Sequence, residues 1–150
     1  MKSILITLLL ATILLPAISI SATETAIFST GCFWCSQSDF DKVPGVTNTT
    51  VGYVGDTQSI PTYKTVSSGK TNFAEGIEIE FDNTVVSYSQ LLDYFWTTTD
   101  PTVKDQQFCD IGHQYRSGIF YLNDQQKTLA LASRNEIERI LPVVHTQVEP

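Results

Sequence analysis

Two cysteines bracket a pair of large aromatics in the run Thr30-Gly31-Cys32-Phe33-Trp34-Cys35. The short apolar stretch Ala26-Ile27-Phe28 precedes it and a helical pattern follows, so Cys32 falls where a strand hands over to a helix. Backbone N–H groups and the positive end of a helix dipole at such a junction favour thiolate over thiol. Cys32 is therefore the candidate nucleophile, with Phe33 and Trp34 as a clamp for a small apolar group. A third cysteine, Cys109, stands beside Asp110 in a polar segment. Cys35 and Cys109 are each open to two readings, as a thiol that closes a disulfide on Cys32 or as a packed side chain.

A carboxyl group gives the second half of the pattern. In Ala74–Phe81, Ile77, Ile79 and Phe81 alternate with Glu78 and Glu80, which reads as a half-buried strand. The same alternation puts Glu75 on the apolar side, next to Phe73 and Ala74. A charged residue on the apolar side of a strand is unusual, which marks Glu75 as a candidate functional residue.

The elements that must position these groups are legible in outline. Strands are expected at Ala26–Thr30, Thr47–Val54, Ala74–Phe81, Tyr115–Leu122 and Val143–Val148. Phe33 to Val43 reads as a helix closed by Pro44-Gly45. Ser87 with Gln90 forms a capping box, and Tyr88, Leu91, Leu92, Phe95 and Trp96 then fall on one helical face. Asp124–Ile140 is a helix capped at Asn123. Gly55 to Asn72 and Asp100 to His113 read as irregular segments that carry the chemistry. The expected fold is α+β: a two-layer sandwich of a mixed sheet with helices packed on it.

The chain has 150 residues, enough for one domain. Residues 1–22 stand apart: Met1-Lys2, an apolar run from Ile4 to Ile20, then Ser21-Ala22. This is the pattern of a signal peptide cleaved after Ser21 or Ala22, so the mature chain is expected to be exported, periplasmic or secreted; the rival reading is an uncleaved membrane anchor, for which the apolar run is short and interrupted. Removing it deletes Lys2 and leaves 8 basic against 16 acidic side chains. Such a surface repels phosphate backbones, which argues against a nucleic-acid partner. No apolar segment of the mature part is long enough to cross a bilayer. An odd number of cysteines in an exported chain points to a reactive thiol rather than a static framework. The sequon Asn48-Thr49-Thr50 falls in an expected strand and is discounted.

Taken together, Gly31-Cys32-Phe33-Trp34-Cys35, Pro44-Gly45-Val46, Gly52-Tyr53, Pro61-Thr62-Tyr63, Ser68-Gly69, Ala74-Glu75, Asp100-Pro101 and the run from Asp110 to Ser117 resemble the A-type peptide methionine sulfoxide reductases. The resemblance covers roughly residues 25–150, and it implies a ferredoxin-like core and no metal or organic cofactor. It implies that Cys32 attacks the sulfur of methionine S-sulfoxide, free or in proteins, and is left as a sulfenic acid. By the same resemblance Phe33 and Trp34 enclose the substrate methyl, and Glu75 gives a proton to the sulfoxide oxygen. Tyr63 and Tyr115 stabilise that oxygen, and Asp110 orients the site. Electrons would come from thioredoxin or another thiol, the role would be repair of oxidised proteins, and a monomer is expected. Two positions depart from the family pattern: Phe73 stands where a histidine is common and Gln37 where a glutamate is frequent. The family also continues into a tail beyond the position of Pro150, so the expected catalytic domain is residues 23–150 without that tail.

Two other chemistries use the same residues. An exported thioredoxin-like oxidoreductase would use the Cys32-x-x-Cys35 pair for thiol–disulfide exchange, but it leaves Glu75, Tyr63 and Tyr115 idle. A Cys₃His zinc site would need Cys32, Cys35, Cys109 and His113, with bulky Phe33 and Trp34 lodged awkwardly between ligands.

Overall fold

Alternating apolar residues of two strands, Ala26 and Phe28 in one and Ile77, Ile79 and Phe81 in the other, build the core. In the computed structural model, which describes residues 22–58 and 60–150, β1 (Thr23–Thr30), β2 (Val46–Val54) and β3 (Ala74–Asp82) pair antiparallel, with β3 between the other two. β6 (Ser117–Phe120) pairs antiparallel with the other side of β1, and β7 (Gln147–Glu149) runs parallel to β6. The sheet order is β2-β3-β1-β6-β7. The register aligns one residue from each strand into a row: Val51, Ile77, Phe28, Ile119 and Val148.

Helices cover this face. α1 (Phe33–Phe40) brings Phe40, α3 (Tyr88–Thr98) brings Tyr88, Leu91, Leu92 and Phe95, and α4 (Asp124–Ile140) brings Ala130 into the same buried cluster as Phe28, Ile77 and Ile119. β1, α1, β2, β3, α3 and β6 form the β-α-β-β-α-β arrangement of a ferredoxin-like unit, extended by α4 and the parallel crossover to β7. The expected α+β sandwich with a mixed sheet is the observed one.

The capping box at Ser87 forms as the sequence suggests, with Gln90 N donating to Ser87 Oγ at 3.3 Å and Ser87 N donating to Gln90 Oε1 at 2.9 Å. Asn123 caps α4 through Gln126 N at 2.9 Å.

Several expectations need correction. The segment Gly55 to Asn72 is not structureless: α2 (Tyr63–Ser67) forms inside it, nucleated by a second capping box in which Thr62 and Thr65 bond reciprocally. That box uses two threonines, outside the Ser-x-x-Gln pattern that marks α3. The segment after Asp100 holds a short hairpin, β4 (Gln106–Gln107) with β5 (Asp110–Ile111), followed by a 3-10 turn at His113–Tyr115. The turn takes Tyr115 and leaves β6 shorter than Tyr115–Leu122. Helix α1 ends at Phe40 rather than Val43, because Asp41 to Val43 already turn back through bonds to Gln37, Asp39 and Phe40. The expected leader lies outside the described residues, apart from Ala22. Among the described residues no helix is long and apolar enough to cross a membrane.

Candidate active site

One step along the sheet from the apolar row the residue types change. Two positions on from Ile77 is Glu75, paired with Tyr53 of β2; beyond Phe28 is Thr30, paired with Ser117 of β6. Ser117 in turn shares a 2.9 Å hydroxyl contact with Thr146, just ahead of β7. This row ends the core and begins the site, and all the expected site residues gather around it.

Cys32 is the N-cap of α1, at φ −58° and ψ 118°, half-buried. Its carbonyl accepts from Cys35 N at 3.0 Å and Ser36 N at 3.1 Å, so the chain turns directly from β1 into the helix. Gly31 makes this turn possible. It adopts φ +98°, and a Cβ there would come within 2.6 Å of Gln107 Cβ. Gln107 is itself buried and clamped to Asp100, donating from Nε2 to Asp100 O at 2.8 Å and accepting Asp100 N at 2.9 Å. The β4–β5 hairpin, with Cys109 and Asp110, is thereby seated against the strand end that carries the nucleophile.

Glu75 is 4% exposed. Its Oε2 accepts a hydrogen bond from Phe33 N at 3.0 Å, one residue from Cys32. Burial pushes its carboxyl above the usual range, the Phe33 N–H pulls partly the other way, and the negative charge of Asp110 adds to the rise. Tyr115 is raised by burial and then by Glu75, with Asp110 and Tyr63 contributing and Gln114 opposing. Tyr53 is raised by burial, then by Glu75, Tyr63 and Tyr115. Glu75 and Asp110 thus lie within electrostatic reach of one another, and three phenols share the field of Glu75 or of each other.

The Phe33 ring is buried, edge-on to Trp34 at 5.4 Å between centroids and 5.8 Å from Tyr53. Trp34 is 64% exposed and Tyr63, the first residue of α2, 65% exposed, so the clamp opens to solvent chiefly through these two rings. Tyr53 is the site residue that the chemical reading of the sequence passed over. Alternation along β2 could place its face, but only the β2–β3 register shows that it sits opposite Glu75. Phe73, one of the departures from the family pattern, is buried against the Tyr53 ring at 6.5 Å.

On the other side of Cys32 the thiols gather. Cys32, Cys35, Asp39, Phe108, Cys109 and Asp110 line one cavity of about 320 Å³. Cys35 and Cys109 are both exposed, and none of the three cysteines is in a disulfide. The Cys35 thiol is pushed up by what burial it has and then by the neighbouring Cys32, with Asp110 and Asp39 adding to the effect. His113 is not with them. Its Nδ1 bonds Asp105 Oδ1 at 2.7 Å, and its ring faces a different cavity shared with Lys104, Arg116 and His145. The four residues of the Cys₃His arrangement are therefore not assembled.

Comparison with known proteins gives a consistent result. The family model for peptide methionine sulfoxide reductase matches residues 24–150. The chain is similar to the peptide methionine sulfoxide reductase MsrA of Methanococcoides burtonii, 53% identical over 116 residues, which covers 77% of this chain and 76% of the relative. To the MsrA of Pasteurella multocida it is 49% identical, over 72% of this chain and 62% of that one. Among solved structures, methionine sulfoxide reductase A of Corynebacterium diphtheriae superposes with a TM-score of 0.78 at 32% identity, covering 85% of this chain and 64% of its own.

Proposed function

The chain belongs to the peptide methionine sulfoxide reductase family, and from that membership and the geometry of its site we propose that it reduces methionine S-sulfoxide, free or in proteins, to methionine. The observation that carries this reading is Glu75: a buried carboxyl with a raised pKa, bonded to the backbone one residue from the candidate nucleophile.

The Cys32 thiolate attacks the sulfoxide sulfur while Glu75 gives its proton to the oxygen. Tyr63 and Tyr115 offer their hydroxyls to that oxygen as negative charge grows on it, burial and then the charge of Asp110 hold the proton on Glu75, and Asp110 helps orient the site. Phe33 and Trp34 take the methyl group against their rings. In the resulting adduct the methionine S–O bond and the new S–S bond both break as the hydroxyl passes to the Cys32 sulfur, so methionine leaves as the sulfide and Cys32 carries the oxygen as a sulfenic acid. Two thiol electrons then return the enzyme to its starting state, and we assign their source to thioredoxin or a thioredoxin-like dithiol. The exposed rims of Trp34 and Tyr63 leave room for a methionine still in a polypeptide. The disulfide-exchange alternative gives Glu75 and the phenols nothing to do, and it is not pursued.

The leader pattern of residues 1–22 extends the proposal to an exported chain that repairs oxidised proteins outside the cytoplasm. N-terminal sequencing of the protein recovered from cell fractions tests that part.

The pH dependence of single turnover tests the chemistry. A general acid must be protonated to act, so the rate is expected to fall as pH rises through the raised pKa of Glu75. In Glu75→Gln the rate should drop by about 10²–10⁴-fold and lose that dependence. An unchanged profile in the variant would remove Glu75 from the mechanism.

A further inference from the structure

Four aromatic rings run in contact from the rim of the site into the sheet. Trp34 stands outermost and exposed, edge-on to the buried ring of Phe33 at 5.4 Å. Phe33 in turn lies 5.8 Å from the ring of Tyr53, tilted by 41°. Tyr53 then meets the ring of Phe73 at 6.5 Å and 64°, and Phe73 is itself buried. All three separations fall in the range of attractive aromatic pairs, about 4.5–7 Å. The outer two rings belong to the first turn of α1, whereas the inner two stand on β2 and just ahead of β3. Tyr53 is thus the ring that ties the clamp to the sheet.

Phe33 has to keep its place for two reasons. Its ring is the inner wall of the clamp, and its N–H is the 3.0 Å donor to Glu75 Oε2. Trp34, largely in water, is a weak stop for that ring. Tyr53 is a firm one. Its backbone is locked in β2 directly opposite Glu75, and its half-buried ring is flanked by both Phe33 and Phe73. Residues directly opposite on antiparallel strands hold their Cβ atoms about 4.5–5.5 Å apart, so Tyr53 starts beside the acid and reaches the clamp. A small side chain at position 53 would leave Phe33 without a ring on its sheet side and with room to turn into.

We infer that Tyr53 is the specificity-determining residue of the clamp: by fixing the Phe33 ring from the sheet side, it sizes the site for a methyl group on sulfur and refuses longer S-alkyl chains. The inference rests on the reductase reading above. Tyr53 is a positioning residue, because it acts through Phe33, and it acts with its ring rather than its hydroxyl. A rigid apolar pocket discriminates a single methylene by about 10–200-fold, and a wall that yields gives that discrimination up.

The test compares kcat/KM of the full chain on the sulfoxides of methionine and of S-propylhomocysteine, each as the S epimer, with dithiothreitol as reductant. Wild type should favour the methyl substrate by at least about 10-fold. Tyr53→Phe keeps the ring and should keep that ratio. In Tyr53→Ala the rate on the propyl substrate, per folded molecule, should rise while the methyl rate falls, which brings the ratio close to one. Tyr53→Leu carries the same comparison, with a smaller change, where the alanine variant does not fold by circular dichroism. A merely structural loss lowers both rates together and leaves the ratio where it was. That result overturns the assignment, as does a ratio that collapses already in Tyr53→Phe. A wild type that reduces the propyl sulfoxide as fast as the methyl one overturns it too. A folded wild type that reduces neither sulfoxide is the separate failure of the reductase reading, and the inference falls with it.

Discussion

Two adjacent rows of the same sheet face do opposite jobs. The row that runs through Ile77, Phe28, Ile119 and Val148 lies under the helices and holds the fold together. The row one step on, Tyr53, Glu75, Thr30, Ser117 and Thr146, lies beside the start of α1 and is polar throughout. Burial does not separate them: Ile77 is 0% exposed, Glu75 4% and Thr146 1%. What differs is the partner. Ile77 meets hydrocarbon, whereas Glu75 meets a backbone N–H and lies opposite Tyr53, so the same exclusion of water that stabilises one row keeps a proton on the other.

Substitutions can break that comparison from either side. Removing the nucleophile has the largest effect: Cys32→Ser should form no methionine at all while its circular dichroism and melting remain those of the wild type. In the apolar row, Ile77→Ala should cost about 2–5 kcal/mol of stability in chemical denaturation. Its single-turnover rate per folded molecule should stay near wild type, because the lost contacts lie under the helices. If Ile77→Ala slowed chemistry as much as Glu75→Gln, the two rows would not be separable.

Smaller changes sharpen the picture. Tyr115→Phe and Tyr63→Phe each remove one hydroxyl from the oxygen site, and single turnover should slow by about 10–100-fold, somewhat less than for the loss of a fixed backbone-like donor. Stability carries a signature too. Glu75 binds its proton more tightly when folded than when unfolded, so in the window between those two pKa values the native state holds more protons. Wild-type stability should therefore fall as pH rises from the ordinary glutamate range through the raised value. Glu75→Gln should lose that slope, which denaturation midpoints across the window will read.

Most of the fold was legible because its signals are local. Alternation marked β3, spacing and a Ser-x-x-Gln box marked α3, and Asn123 marked the start of α4. Alternation also placed Glu75 on the buried face, and its burial follows from that placement. What stayed hidden depends on tertiary contacts or unusual local chemistry. Helix α2 rests on a Thr62–Thr65 capping box that looks like ordinary loop composition. The β4–β5 hairpin has only two residues per strand, with Phe108 at φ +50° in its turn, where a glycine would have announced it. Tyr53 joins the site through strand register alone, and the gathering of Cys109 with Cys32 depends on Gln107 fitting against Gly31.

The most direct test of the central claim is single-turnover reduction by the pre-reduced protein, with the two sulfoxide epimers of a methionine substrate offered separately. Stoichiometric methionine from the S epimer and none from the R epimer is the expected result. A folded chain that yields no methionine from the S epimer, or yields it equally from both, would contradict the account.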